Sequence, residues 1–116
     1  MNIVTLNVAS LIKSPSALTR EQGTIIYNQI KKNLISGNKV ILDFNDIESI
    51  ITPFLNVSIG KLYETFNSTQ LNTQLEIKNS PEGTNSKFQM VIENAKQYYL
   101  NKDAFTKAVE DVINNQ

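Results

Sequence analysis

Three carboxylates, Asp43, Asp46 and Glu48, follow closely on an apolar run, and a hydroxyl, Thr52, comes four residues after the last of them. Oxygens at the end of a strand are what a hard cation such as Mg²⁺ requires, and a strand-terminal Asp is where a receiver-like phosphoryl transfer would begin. An oxygen-ligand, Mg-type phosphoryl-transfer protein using Asp43, Asp46 and Thr52 is therefore one reading. Against it, apolar Phe44 follows Asp43, and residues 2–9 hold no carboxylate to complete an acidic pair. The simpler reading has Asp43 accepting backbone N–H groups at a chain corner while Asp46 and Glu48 stay in water. Asn45 and Asp46 are natural turn formers, and no metal site is expected.

The chain contains no histidine and no cysteine. That removes Ser-His-Asp and Cys-His nucleophiles, histidine metal sites, thiolate zinc sites and the usual general base near neutral pH. Catalysis would have to rest on Asp, Glu, Lys, Tyr or an oxygen-held metal, and no Gly-rich phosphate loop is present. A non-enzymatic role without a cofactor is expected. Eleven basic residues balance eleven acidic ones, and the densest basic group, Lys31 and Lys32 with Lys39, is too small for a phosphate-backbone stripe. Nucleic acid is not an expected partner. No segment approaches the ~20 apolar residues of a membrane span, and the N-terminus lacks the pattern of a secretory signal, so a cytoplasmic protein is expected. Abundant Asn, Ile and Lys suggest an AT-rich bacterial or phage genome.

The elements that must position these groups centre on residues 40–66. Val40, Ile41, Leu42 and Phe44 are interrupted only by Asp43, the pattern of a strand whose sheet is covered on both faces. After a turn at Asn45–Asp46, Thr52 predicts an N-cap and Pro53 the first position of a helix. Leu55, Ile59, Leu62 and Phe66 share one face of that helix, and Asn56, Lys61 and Glu64 point to water. Its free first-turn N–H groups favour an anion, a carboxylate or a partner's acceptor at the corner. On this reading Thr52→Ala costs about 1 kcal/mol through a lost cap.

Elsewhere, residues 2–9 read as a first strand ended by Ser14-Pro15-Ser16. Thr19 with Gln22 forms a capping-box pattern that starts a helix to about Ile35, with Ile26, Ile30 and Leu34 inward and Gly37 as its stop. Gly23 lies on the inward side, where it would let the helix approach the sheet. Residues 67–72 read as a polar turn, 73–78 as a third strand with Leu75 and Ile77 on one face, and 79–83 as a loop. A helix capped by Thr84 or Asn85 should reach Tyr98 or Tyr99 with Phe88, Ile92 and Ala95 inward. A separate last helix over 103–113 should bury Phe105, Ala108, Val109 and Val112. The alternation predicts an α/β domain over 1–116: a small single-layer sheet of about three or four strands, packed by helices, with a helical C-terminus. The loops 45–52 and 79–84 should then border one patch at the carboxyl ends of the strands.

Leu42-Asp43-Phe44, Thr52-Pro53-Phe54-Leu55-Asn56 and Gly60-Lys61-Leu62 together resemble the bacterial STAS-like family of unknown function. That family is a small relative of the anti-anti-sigma-factor (STAS) domains; its members carry Ser/Thr-x-Phe-Leu-Asn and then Gly-x-Leu after a strand ending in Asp-Phe. The family's usual Glu after Phe-Leu-Asn is replaced here by Val57. The Asp-Ser-Ser-Gly motif of true anti-anti-sigma factors falls on Ile51-Thr52-Pro53-Phe54, which puts the phosphoacceptor position at Pro53, a residue that cannot be phosphorylated. Thr52, one residue early, is read as a cap. The resemblance implies a STAS-like fold and a regulatory protein–protein interaction module. It would dock through the strand-corner-helix at 45–58, with Asn45, Asp46, Thr52, Pro53, Phe54, Asn56 and, beyond it, Lys61 as contact residues. A kinase-type ATP-binding regulator is the kind of partner implied. A phage or mobile-element protein blocking a host factor would use the same surface.

Overall fold

The protein is described by a computed structural model that covers the backbone of residues 2–114 and the side chains of residues 2–100. The chain runs through β1 (Ile3–Asn7), α1 (Val8–Ile12), β2 (Ser16–Ala17), α2 (Arg20–Ile35), β3 (Lys39–Asp43) and β4 (Ser49–Ile50). It continues through α3 (Thr52–Ser58), a 3-10 segment (Gly60–Glu64), α4 (Ser68–Gln74), β5 (Leu75–Lys78) and α5 (Asn85–Asn114). The α/β architecture expected from the alternation is present. The main sheet is all parallel in the order β1-β3-β5, with Val4 beside Val40 and Leu42 beside Ile77, and β2 pairs with β4 in a short parallel ladder of its own.

Each step across the main sheet goes the same way. Parallel crossovers share one hand, so successive steps in one direction put their helices on one face. The burial pattern agrees: Leu6, Val40 and Leu42 are buried, while their neighbours of opposite parity, Ile3, Thr5, Ile41 and Asp43, are exposed or half-buried. Lys39 and Glu76 form an ion pair at 3.5 Å on that second face. The run at residues 40–44 is therefore not a strand covered on both sides. Its helix side joins the core, and its other side is open.

The α2 helix starts as its sequence dictates. The Thr19 side chain accepts from the Gln22 amide at 3.0 Å, and the Gln22 side chain accepts from the Thr19 amide at 3.0 Å and the Leu18 amide at 2.8 Å. Ile26, Ile30 and Leu34 are buried, and the chain turns out of the helix through Gly37 at φ 82°. Gly23 does provide a close approach, but to α3 and not to the sheet. A Cβ there would lie 2.8 Å from the Phe54 carbonyl oxygen. Ser58 belongs to the same contact: its hydroxyl is wholly buried and, among the described residues, has no hydrogen-bond partner. An orphaned buried hydroxyl costs about 1–3 kcal/mol, so Ser58→Ala should leave stability unchanged or raise it by about 1 kcal/mol. A denaturant titration measures this, and a clear loss would reveal a bond made by that hydroxyl.

Several boundaries differ from expectation for local reasons. The first strand ends at Asn7, not Ala9, because the Asn7 side chain accepts from the Ser10 amide at 2.9 Å and caps α1. The expected turn at residues 67–72 is mostly α4, capped by Asn67, whose side chain accepts from the Gln70 amide at 2.8 Å; β5 begins only at Leu75. The helix predicted from Thr52 to Phe66 is split into α3 and the 3-10 segment, although Leu55, Ile59, Leu62 and Phe66 are all buried as their spacing requires. The two expected C-terminal helices are one, α5; Phe88, Val91 and Ala95 are buried, and the predicted burial of Phe105, Ala108, Val109 and Val112 lies outside the described side chains. Among the described residues, no helix is long and apolar enough to cross a membrane.

Candidate functional site

The corner after β3 is built by Asp43. Its carboxylate accepts from the Asn45 amide at 2.9 Å and from the Asn79 side-chain amide, also at 2.9 Å. The end of β3 is thereby tied to the residue after β5. Asp46 and Asn79 both adopt left-handed backbone, φ 70° and 57°, a conformation that Asn and Asp tolerate better than other non-glycine residues. The expected backbone-amide role of Asp43 is present, and Asn79, the first residue of the loop at 79–84, is bonded to the strand end that leads into the loop at 45–52.

Further bonds fix the corner from behind. The Ile47 amide donates to the Phe44 carbonyl at 3.0 Å, the Glu48 amide to the Pro15 carbonyl at 2.7 Å and the Ile51 amide to the Ala17 carbonyl at 3.1 Å. The Lys87 ammonium, from α5, donates to the Ile50 carbonyl at 3.2 Å. Four segments of the chain thus hold one loop. Asn45, Asp46 and Glu48 are exposed on it, as are Pro53 and Asn56 on α3 that follows.

The bonds from Asn79 and then Asn45, with a smaller contribution from the Lys78 charge, outweigh desolvation and hold the Asp43 carboxyl below its ordinary value. A carboxylate with a depressed folded-state pKa stabilises the fold above its unfolded value, about 3.9, and loses that contribution as pH falls through the folded value. Solvent screening keeps the effect small at so open a position. Asp43→Asn should therefore remove part of the loss of thermal midpoint between about pH 4 and pH 2, measured against the parent across that range. An unchanged acid slope would show that the corner bonds do not distinguish the charged form.

The expected contact residues are only partly gathered here. Thr52 is half-buried and is not the cap: Ile51 occupies that position, and α3 has no side-chain cap bond. The cap-based cost expected for Thr52→Ala therefore does not apply. Phe54, expected on the docking surface, is fully buried in the core. Lys61 lies away from the corner, with its ammonium 4.9 Å from the centre of the Tyr27 ring, in cation–π contact. Among the described residues, no three acidic side chains converge as a cation site would need.

Residue spacing did not reveal the clefts along α5. One, of about 410 Å³, is lined by Arg20, Asn56, Gly60, Asn94 and Tyr98; a second, of about 350 Å³, is lined by Tyr63, Phe66, Lys96 and Tyr99. Asn56 links the corner helix to the first cleft. Tyr98 is 61% exposed and Tyr99 half-buried, their rings edge to face at 4.9 Å. The adjacent aromatic pair was the signal for this surface.

A parallel strand order, helices on one face and a pinned loop between β3 and α3 define a small α/β domain with an exposed strand-to-helix corner. Residues 22–84, just over half of the chain, match the family described as a STAS-like domain of unknown function, and the chain belongs to that family. No curated protein and no solved structure matches the chain.

Proposed function

We propose that the protein is a non-catalytic regulatory module that binds another protein through the corner at residues 45–58. The observation that carries this reading is the pinned loop itself. Asp43, Asn79 and Lys87 hold it from three sides, while Asn45, Asp46, Pro53 and Asn56 are left exposed. A preordered polar loop lowers the entropy cost of docking, and its contacts are backbone edges, amides and one carboxylate. Phe54 supports the loop from the core and is not itself a contact. A kinase-type ATP-binding regulator, cytoplasmic like the module, is the partner class that the family likeness suggests. The oxygen-ligand phosphoryl-transfer reading has less support, because among the described residues no other acidic side chains gather with Asp43 to hold a cation, and its Oδ1 is taken by Asn45 and Asn79.

The test compares capture of partners from the native cell by the parent, by Asn45→Arg and by Asn56→Arg, with Lys32→Glu on the distant face of α2 as control. A protein retained by the parent and the control but lost by both corner variants is the expected result. A partner held equally by all four, or lost only with Lys32→Glu, would remove the corner from the interface.

A further inference from the structure

We propose that β1 is a pairing edge for a second copy of this chain, joined antiparallel about a twofold axis at Thr5 to give one continuous six-stranded sheet. The two edges of the main sheet differ in kind. The β5 edge carries Glu76 and Lys78, with Glu76 paired to Lys39, and ends at once in left-handed Asn79. Charges and abrupt ends are how natural sheets keep an edge from pairing. The β1 edge, Ile3-Val4-Thr5-Leu6-Asn7, has no charge, no proline and no bulge, and Ile3 is 63% exposed.

The backbone directions set the register. The Lys39 amide donates to the Asn2 carbonyl at 2.8 Å, so Asn2 faces β3, and the alternation of a strand turns the same groups of Val4 and Leu6 that way as well. Ile3 and Thr5 then direct their N–H and C=O outward, away from the sheet. A twofold axis at Thr5 lets the two Thr5 residues exchange both bonds and sets Ile3 opposite Asn7 of the other copy. Val4 falls opposite Leu6 of the other copy on the helix side, where Leu6 is buried and Val4 half-buried; the apolar layer therefore continues across the axis. A charge anywhere near the centre of such an edge would meet its own copy. The absence of charge from β1 is what selects a copy of this chain over a charged foreign strand. The pairing leaves the two corners at residues 45–58 at opposite ends of the joined sheet, both accessible.

A five-residue strand makes a small interface, so the dimer belongs to the weak, concentration-dependent class. Sedimentation of the full chain over a concentration series should show the mass doubling. Hydrogen exchange at the high end should show protection of the Ile3 and Thr5 amides that is lost on dilution. Thr5→Pro removes an outward N–H and no bond to β3, which is the one kind of strand position that tolerates proline. Thr5→Lys sets two like charges opposite each other at the axis. Each variant should weaken the dimer on the order of tenfold, the amount expected for two lost hydrogen bonds or an imposed repulsion, while the thermal midpoint of the dilute protein stays that of the parent. Thr5→Lys keeps the comparison valid if proline disturbs the strand. Lys78→Ala, on the other edge, should have no effect. A chain that stays monomeric at its highest soluble concentration overturns the proposal, as does a dimer that survives Thr5→Lys with the backbone amide of residue 5 still exchanging freely.

Discussion

Gly23→Ala should destabilise the protein by about 2 kcal/mol, although alanine is the better helix former by about 1 kcal/mol. The reversal of sign comes from packing. An added methyl carbon would sit 2.8 Å from the Phe54 carbonyl oxygen and 3.1 Å from the Val57 Cβ, and the nearer of these is backbone that cannot rotate away. Accommodating it means moving α3 off α2, which would disturb the buried residues beside it, Leu55 and Ser58. A urea titration of parent and variant gives the difference directly. A variant as stable as the parent would show that the α2–α3 contact yields at little cost, and the tight approach would lose its structural meaning.

Phe44→Ala is the larger loss, about 3–5 kcal/mol, the range for removing a fully buried phenylalanine. Phe44 is 1% exposed and stands where three parts meet. It directly follows β3, its amide donates to the Lys78 carbonyl at 2.9 Å, and its ring meets Phe88 of α5 edge to face at 5.3 Å between centroids. Truncation leaves a cavity between the sheet and α5 that the parallel strands cannot close. Against a typical domain stability of 5–15 kcal/mol, the variant would be marginal. A double-mutant cycle with Phe44→Leu and Phe88→Leu should give a coupling of about 0.5–1.5 kcal/mol for the ring pair. A loss under about 1.5 kcal/mol for Phe44→Ala would mean that α5 is not anchored there.

The site was legible where bonds are short in sequence. The turn at Asn45–Asp46 and the amide-accepting Asp43 follow from residue type alone, because an Asp side chain reaches an amide two residues on without help from the fold. The bond from Asn79 to Asp43 spans 36 residues and depends on β3 and β5 being neighbours. Thr52 shows the opposite failure. Its type suits a cap, yet the ladder from Ala17 to Ile51 holds Ile51 extended at φ −124° and makes it the cap. Phe54 was placed at the surface because it lies within the corner motif. Helix geometry turns it instead into the core, where it is fully buried, and it is the Phe54 carbonyl, not the ring, that Gly23 leaves room for.

By itself the sequence determined what short-range physics controls: a Thr19–Gln22 capping box, the apolar faces of α2 and of residues 55–66, a turn after β3 and the lack of histidine and cysteine chemistry. Such features rest on contacts within a few residues, where side-chain type and spacing leave few alternatives. Only the tertiary structure decided that every crossover passes on one side of the sheet, leaving Ile3, Thr5 and Ile41 on an open face. Only it decided that α2 meets α3 at Gly23, and that the corner's exposed residues exclude Phe54. Those outcomes depend on strand order and helix placement, which sum many weak distant contacts, and no window along the chain contains them.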